Sequence, residues 1–145
     1  MADSIAQSYA NHRRYVPGFH FVTTALLLVY LFWALYEVIF HFSADHLLTL
    51  LSAVILGLLF FYIREFPLAV QNRVIRLEER LRLERLCPEL KGRIAELGTS
   101  QLIALRFASD AELPALTRRV LDEHIHDQNV IKKQIQSWRP DHLRA

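Results

Sequence analysis

The sequence predicts an all-α membrane protein, in which a two-helix transmembrane hairpin is followed by a small multi-helix cytoplasmic domain. Apolar residues fill two runs, 21–42 and 47–63, which are separated by only four residues. Each run is close to the ~20 apolar residues that span a bilayer as a helix. Beyond the second run the chain is polar and its apolar residues recur at helical spacing, which predicts short packed helices.

The basic residues predict how the hairpin is oriented. The connecting segment 43–46 has no Lys or Arg, and all 17 basic residues lie outside this segment and the two apolar runs, 15 of them from Arg64 onward. Because Lys and Arg accumulate on the cytoplasmic side of membrane helices, we expect both termini in the cytoplasm and the turn outside. The lipid bilayer is then the first partner of the chain.

A Pro-Gly pair and a later proline divide the chain into three regions. Residues 1–18 are a cytoplasmic segment that either lies at the membrane interface or docks onto the tail. The hairpin covers 19–66, and the helical cytoplasmic domain covers 67–145. Since proline has no N–H to donate, we expect the helix to kink or restart at Pro67.

The domain is predicted to hold four or five short helices, delimited by prolines, a glycine and capping residues. The first helix is expected to end at about Leu86, and a second helical stretch runs from Pro88 to Gly98. Thr99 or Ser100 is expected to cap the third helix. Ser109–Glu112 matches a capping box ahead of the fourth, and the last helix covers 128–138. In a capping box the first and fourth side chains each bond the other residue's backbone N–H. Pro114 leaves open whether the box caps a single turn or the helix starts at the proline.

Composition and motifs argue against several classes of function. The net charge of +2 is too small to suggest a nucleic-acid partner. A single cysteine, Cys87, excludes an intramolecular disulfide and a multi-cysteine metal site. The sequence has no HExxH motif, no phosphate-binding glycine loop and no nucleophile elbow. We therefore expect no enzyme, no cofactor and no bound metal.

An acidic residue inside the first apolar run is the most informative polar group. Glu37 lies five residues before the outer end of its run, where a carboxylate is expected to face protein or water because exposure to lipid is costly. His41 follows one turn later, and Thr49 and Ser52 of the second run lie at similar depth. This polar cluster predicts either a hydrogen-bonded Glu37 that pins the hairpin or a proton- or cation-binding group.

Two groups of polar residues contain ligand types for a divalent cation. One consists of Glu37, His41, Asp45 and His46 near the turn, a set that could also form a proton relay. The other spans 122–127, where Asp122 and His126 are helical neighbours. Both signals are weak, since turns and helix ends are commonly polar and a site needs several convergent ligands. We interpret 122–127 as the solvated end of one helix followed by the cap of the next.

Small residues predict where the second membrane helix is approached closely. Ala53 and Gly57 are four residues apart, on nearly the same face of the second run. Such small-xxx-small pairs let helix backbones pack closely within a membrane. We expect this face to contact another helix.

The tail offers one apolar seam as an interaction surface. Val70, Val74, Leu77 and Leu81 are spaced four, three and four residues apart, a heptad-like pattern on one helix face. The pattern lasts less than two heptads before Glu84 interrupts it. Such a short seam predicts one amphipathic helix that packs on others, not a free coiled coil.

Two further features of the tail lie off this seam. Glu78 and Arg82 are i,i+4 neighbours of opposite charge, and we expect them to pair on the solvated side of the helix. Trp138 follows a basic stretch near the end of the chain. It is either part of a patch that binds the membrane surface or a partner, or the last core residue of the domain.

Several stretches of the sequence resemble a known family. They are Asn11–Pro17 with His20 and Phe21, Val74–Arg82, Gln101–Asp110, and Ile131–Lys133 with Trp138 and Asp141. Together they resemble a family of small bacterial membrane proteins known only as a domain of unknown function, and the likeness covers nearly the whole chain. The resemblance implies two spans in a bacterial inner (plasma) membrane and brings no activity, cofactor or catalytic residue. Glu37, His41 and the cluster His124–His126 are outside the shared pattern, whose segments are expected in the cytoplasm or at the inner boundary of the membrane.

From the sequence we therefore expect a non-enzymatic integral membrane protein that serves as an interaction or scaffolding subunit. The seam and the face of Ala53 and Gly57 both need something to pack against, which favours a homo-oligomer or a larger membrane complex. The alternative is a small oligomeric ion or proton channel that uses Glu37 in the membrane.

Overall fold

The structure, a computed structural model, describes residues 7–11 and 15–141, and the regular elements in that part of the chain are all helical. The α-helices are α1 (Thr24–Phe40), α2 (Ala44–Leu86), α3 (Thr99–Leu105), α4 (Leu113–Asp122) and α5 (Gln128–Gln134). A π-helical segment, Gly18–Thr23, precedes α1, and two 3₁₀ turns, Pro88–Leu90 and Ile94–Glu96, separate α2 from α3. The predicted all-α class is confirmed for the described residues.

Two of the helices are long and apolar enough to cross a membrane. They are Gly18–Phe40, with a mean hydropathy of 1.9, and Ala44–Leu86, with a mean hydropathy of 2.3 over its most apolar part. Only 6% of each apolar stretch is buried inside the protein. The core helix of a soluble protein would be mostly buried, so these two helices lack the intramolecular cover that such a helix has.

The chain divides into two compact units. One is the hairpin unit, Arg14–Pro67, and the other, the helical domain, combines Met1–Arg13 with Leu68–Ala145. In the hairpin unit, the described residues that are buried are two alanines, Ala34 of α1 and Ala53 of α2. Small side chains at such positions permit close packing of helices.

Gly57 contributes less to this packing than the sequence suggests. A methyl group placed on Gly57 would meet no atom within 4 Å. The closely packed residue of α2 in the hairpin unit is therefore Ala53, one turn nearer the start of the helix. At the other end of the hairpin unit, the rings of Phe19 and Phe60 stack with their centroids 4.4 Å apart.

Pro67 does not restart the helix. The α-helix continues from Ala44 to Leu86 with Pro67 inside it, so the predicted restart is wrong. A proline removes one backbone hydrogen bond, and the many other hydrogen bonds of a helix of 43 residues keep it continuous.

The core of the helical domain joins the end of α2 to the three short helices. Its fully buried side chains include Leu83, Leu97, Leu102, Leu105, Phe107, Leu113, Val120 and Ile131. Burying one such side chain stabilises a fold by about 1.5–3 kcal/mol. The core explains why this short tail folds around α2.

The connection from α2 to α3 differs from the prediction. The stretch expected to be one helix is two 3₁₀ turns, with Gly92, a poor helix former, between them. The N-cap of α3 is Gly98, whose N–H donates to Oε1 of Gln101 at 2.7 Å. Neither Thr99 nor Ser100 is the cap, because α3 already includes both residues.

Half of the predicted capping box forms ahead of α4. The Ser109 hydroxyl accepts the N–H of Glu112 at 3.3 Å. The Glu112 carboxylate, however, accepts the N–H groups of Gln136 and Ser137 at 3.0 and 2.9 Å. Because α4 begins at Leu113, the box closes a single turn, which was one of the two alternatives.

The last helix is shorter than predicted. It ends at Gln134, and Trp138 instead forms an isolated antiparallel bridge with Ala108. The N–H of Ser109 donates to the carbonyl of Ser137 at 3.0 Å. Pairing with the segment after α3 therefore replaces the final helical turn.

Part of the N-terminal segment docks onto the helical domain. The amide of Gln7 pairs with the backbone of Asp141, accepting its N–H at 2.8 Å and donating to its carbonyl at 3.4 Å. The Lys133 ammonium lies 5.7 Å from the centre of the Tyr9 ring. These contacts match the docking alternative for residues 7–11, whereas 1–6 and 12–14 lie outside the described residues.

A left-handed residue ends α4. The backbone of His124 has φ of 49°. The N–H of His124 donates to the carbonyl of Leu121 at 3.4 Å, and the N–H of Ile125 donates to the carbonyl of Val120 at 3.0 Å. This is the Schellman arrangement, which favours glycine at the left-handed position. The helix end, together with Asp127 as N-cap of α5, accounts structurally for the 122–127 cluster.

We predict that His124→Gly stabilises the helical domain by up to about 1 kcal/mol, because glycine removes the steric cost of the left-handed conformation. The measurement is denaturant unfolding of the full chain in detergent, followed by Trp138 fluorescence in a Trp33→Phe background. Glu123→Gly, at a neighbouring residue with φ of −90°, is the matched control and is expected to destabilise. Equal losses in both variants would contradict the prediction.

Candidate interaction surface

From Leu68 to its end at Leu86, α2 has two distinct faces. One, the core face, is buried in the helical domain and consists of Ile75, Glu79, Arg82 and Leu83. The other is the seam, whose four side chains are 48–61% exposed. The helical domain packs against the core face and leaves the seam, the predicted interaction surface, exposed.

Arg82 attaches the core face to the segment after α3. Its Nε and Nη2 donate to Oδ1 of Asp110 at 2.8 and 2.6 Å, and Nη2 also donates to the carbonyl of Ala108 at 2.7 Å. Nη1 donates to Oε2 of Glu79 at 3.0 Å. The prediction of a solvated pair between Glu78 and Arg82 is wrong, because Arg82 is buried and bonds elsewhere.

Further ion pairs extend this network to the end of the described chain. Nη1 of Arg139 lies 3.8 Å from Oε1 of Glu79, and Nε of Arg106 lies 3.1 Å from Oδ2 of Asp141. The N–H of Arg139 donates to the carbonyl of Phe107 at 2.7 Å. The network therefore ties three separate parts of the domain to one face of α2.

The two carboxyl groups that bind Arg82 have opposite pKa shifts. Burial raises the pKa of Glu79, and the positive charges of Arg82 and Arg139 oppose this effect. At Asp110, which is exposed, the hydrogen bonds from Arg82 lower the pKa. Asp110 therefore stays ionised to lower pH than in an unfolded chain and supplies charge that matches Arg82.

An open groove of about 1070 Å³ lies between the seam and this network, with Val74 and Leu81 among its lining residues. Its charged lining residues are Arg82, Arg85, Arg106, Arg139, Glu78, Glu79, Asp110 and Asp141. Equal numbers of positive and negative side chains make the groove a poor site for a polyanion. The groove is better suited to a mixed apolar and polar surface.

In the hairpin unit, Glu37 lies beside a histidine of the turn. Oε2 of Glu37 is 3.6 Å from Nε2 of His46, close enough for an ion pair when the imidazole is protonated but too far for a hydrogen bond. Nδ1 of His46 is hydrogen-bonded to the backbone carbonyl of His41. The backbone N–H of His46 donates to the Ser43 hydroxyl at 3.2 Å. The turn thus positions His46 against Glu37.

The hydroxyl groups expected to bind Glu37 bind their own helix. Thr49 donates to the carbonyl of Asp45 and Ser52 to that of Leu48, each at 2.9 Å. Hydroxyls within helices commonly bond back in this way. The predicted polar cluster is therefore split, and His46, which the sequence groups with Glu37 as a candidate cation ligand, is the side chain that lies within ion-pair distance of the Glu37 carboxylate.

The remaining polar candidates have structural partners. Asp122 accepts a hydrogen bond from Arg93 at 2.7 Å, and Asp127 accepts the N–H of Asn129 at 2.7 Å. Among the described residues, no three His, Cys, Asp or Glu side chains are grouped as metal ligands would be. Trp138 is half-buried against the core, with its ring centroid 5.1 Å from that of Phe107, which matches the core interpretation.

We predict that Arg82→Met destabilises the helical domain by about 3–5 kcal/mol, because the buried Glu79 carboxyl and the backbone carbonyls of Arg106 and Ala108 lose the donors of Arg82. Arg85→Met, three residues further along α2 and exposed, is the matched control and should change stability by about 0.5 kcal/mol or less. Unfolding of the full chain in detergent, followed by Trp138 fluorescence, measures both. A similar small effect of the two variants would show that Arg82 does not hold the core face.

Comparison with known proteins identifies a family for the chain but no characterised relative. No curated protein and no solved structure matches the chain. A family described only as one of unknown function matches residues 1–145. The predicted resemblance to a family of unknown function is thereby confirmed, and the chain belongs to the family DUF6526.

Proposed function

We propose that this protein is a non-enzymatic scaffolding subunit of the bacterial inner (plasma) membrane, which acts through self-association. In this proposal both spans cross the bilayer and both termini are cytoplasmic. The observation that carries the proposal is the seam, an apolar stripe exposed on a helix whose opposite face is already fixed to its own domain. Exposed contiguous apolar surface is typical of an interaction site.

The fixed core face makes the exposure of the seam a stable property. To bury the seam within its own domain, α2 would have to rotate about its axis. That rotation would withdraw Arg82 from Asp110 and from the carbonyl of Ala108, and breaking a buried charge network is costly. Association with another molecule is the remaining way to cover the seam.

Membrane insertion is supported by the length, hydropathy and exposure of the two candidate spans. The orientation is supported by the distribution of Lys and Arg, which avoids the turn. The polar turn between α1 and α2, with its cap at Ser43, is compatible with an aqueous surface.

We predict that Ala44→Cys, in the turn, reacts with a membrane-impermeant maleimide in cells whose inner membrane is intact. Lys91→Cys, in the helical domain, should react only after that membrane is permeabilised. Cys87 contributes little background, because it is fully buried and its burial raises the pKa of the thiol. The reversed pattern, or equal labelling of both variants before permeabilisation, would contradict the orientation.

The channel alternative is less well supported. A shared conduction axis would require Glu37 to face other copies of the chain. Its carboxylate instead lies beside His46 of the same hairpin unit, which favours a structural role in fixing the turn. We therefore propose scaffolding and not ion conduction.

We predict that Leu77→Glu weakens self-association about tenfold or more, because a carboxylate in the contact would be desolvated without a partner. Val130→Glu is the matched control, since Val130 is also an exposed apolar residue of the helical domain but lies on α5. Energy transfer between donor- and acceptor-labelled copies in liposomes measures the association. Equal effects of the two variants would show that the seam is not the contact.

A further inference from the structure

We propose that the seam binds the seam of a second copy as a parallel helix pair, in a register that sets Arg73 of each copy against Glu78 of the other. This inference rests on the self-association proposed above and specifies its partner, direction and register. It follows from which side chains flank the seam and from their charges.

The spacing of the seam assigns the heptad positions. Val70 and Leu77 occupy d positions, and Val74 and Leu81 occupy a positions, because a to d is three residues and d to a is four. The flanking g positions are then Arg73 and Arg80, and the e positions are Gln71, Glu78 and Arg85. In a parallel pair, each g residue faces the e residue five positions later on the other helix.

This rule brings opposite charges together in the first heptad of the seam. Arg73 of one copy faces Glu78 of the other, and a two-fold axis makes the contact twice. Both side chains are exposed. Among the described residues, neither side chain has a hydrogen-bond or ion-pair partner, so both are available to a second copy.

The second heptad has the opposite character. Arg80 of one copy would face Arg85 of the other, which is unfavourable, and Glu84 would occupy the next d position. The complementary charge contact is therefore confined to Arg73 and Glu78, in the first heptad of the seam. Glu84, at the next d position, limits the apolar seam to 70–81.

The parallel direction follows from membrane insertion. Two copies inserted with the same orientation have their α2 helices running the same way, because α2 is continuous from the second apolar run into the seam. An antiparallel pair would require copies of opposite orientation. The core face lies opposite the seam on the heptad wheel, so each domain can keep its own packing in the pair.

The test is disulfide cross-linking of the full chain in its native membrane, with Val74→Cys as the reporter. In a parallel pair, equivalent a positions face each other, so this variant should form a covalent dimer on mild oxidation. Arg76→Cys, two residues away and off the seam, is the matched control and should not. Cys87 is buried and does not compete.

Charge exchange tests the register in the Val74→Cys background. Arg73→Glu alone and Glu78→Arg alone should each lower the cross-linked fraction several-fold, and the double exchange should restore it. Arg85→Glu should raise it, because it replaces the repulsion with Arg80 by attraction. If the cross-linked fraction is the same in all of these variants, the proposed register is wrong.

Two failures are distinguishable. If labelled wild-type copies show energy transfer in liposomes but Val74→Cys does not cross-link, self-association stands and the parallel seam contact is wrong. If neither energy transfer nor cross-linking occurs, self-association itself is wrong and the proposed function falls with it.

Discussion

The structure of the helical domain depends on how the buried guanidinium of Arg82 is satisfied. A buried cation is tolerated only when its donors have partners, and those of Arg82 are supplied by Glu79, Asp110 and the carbonyl of Ala108. The partners come from α2 itself and from the segment after α3. Their positions fix the rotation of α2 about its own axis, and with it the direction in which the seam faces.

This arrangement reverses the usual distribution of polarity on a surface helix. The buried face of α2 carries two charged side chains beside Ile75 and Leu83, whereas the exposed face carries the four apolar residues of the seam. Polar groups thus give the domain a specific internal contact and leave the apolar groups exposed, where we propose that a second copy covers them. Such an arrangement is expected where a helix has to serve both its own domain and a second molecule.

Local patterns in the sequence were sufficient for some features and not for others. The two apolar runs and the seam follow from spacing rules, and the capping rule identifies the box at Ser109 without deciding between a single turn and a helix that starts at Pro114. The partners of Arg82 could not be found in this way, because Asp110 and Ala108 are 28 and 26 residues away along the chain. The i,i+4 rule pointed to Glu78 instead. Similarly, the sequence places His46, Thr49 and Ser52 near Glu37, but only the turn geometry determines that the imidazole lies beside the carboxylate and the hydroxyls do not.

The most direct test of this account is the mass of the complex extracted gently from its native membrane, with every co-purifying chain identified. Self-association through the seam predicts two copies of the 16.9 kDa chain and no second protein in stoichiometric amount. A single copy, alone or bound to a different protein, would contradict the claim that the seam is covered by another copy of this chain.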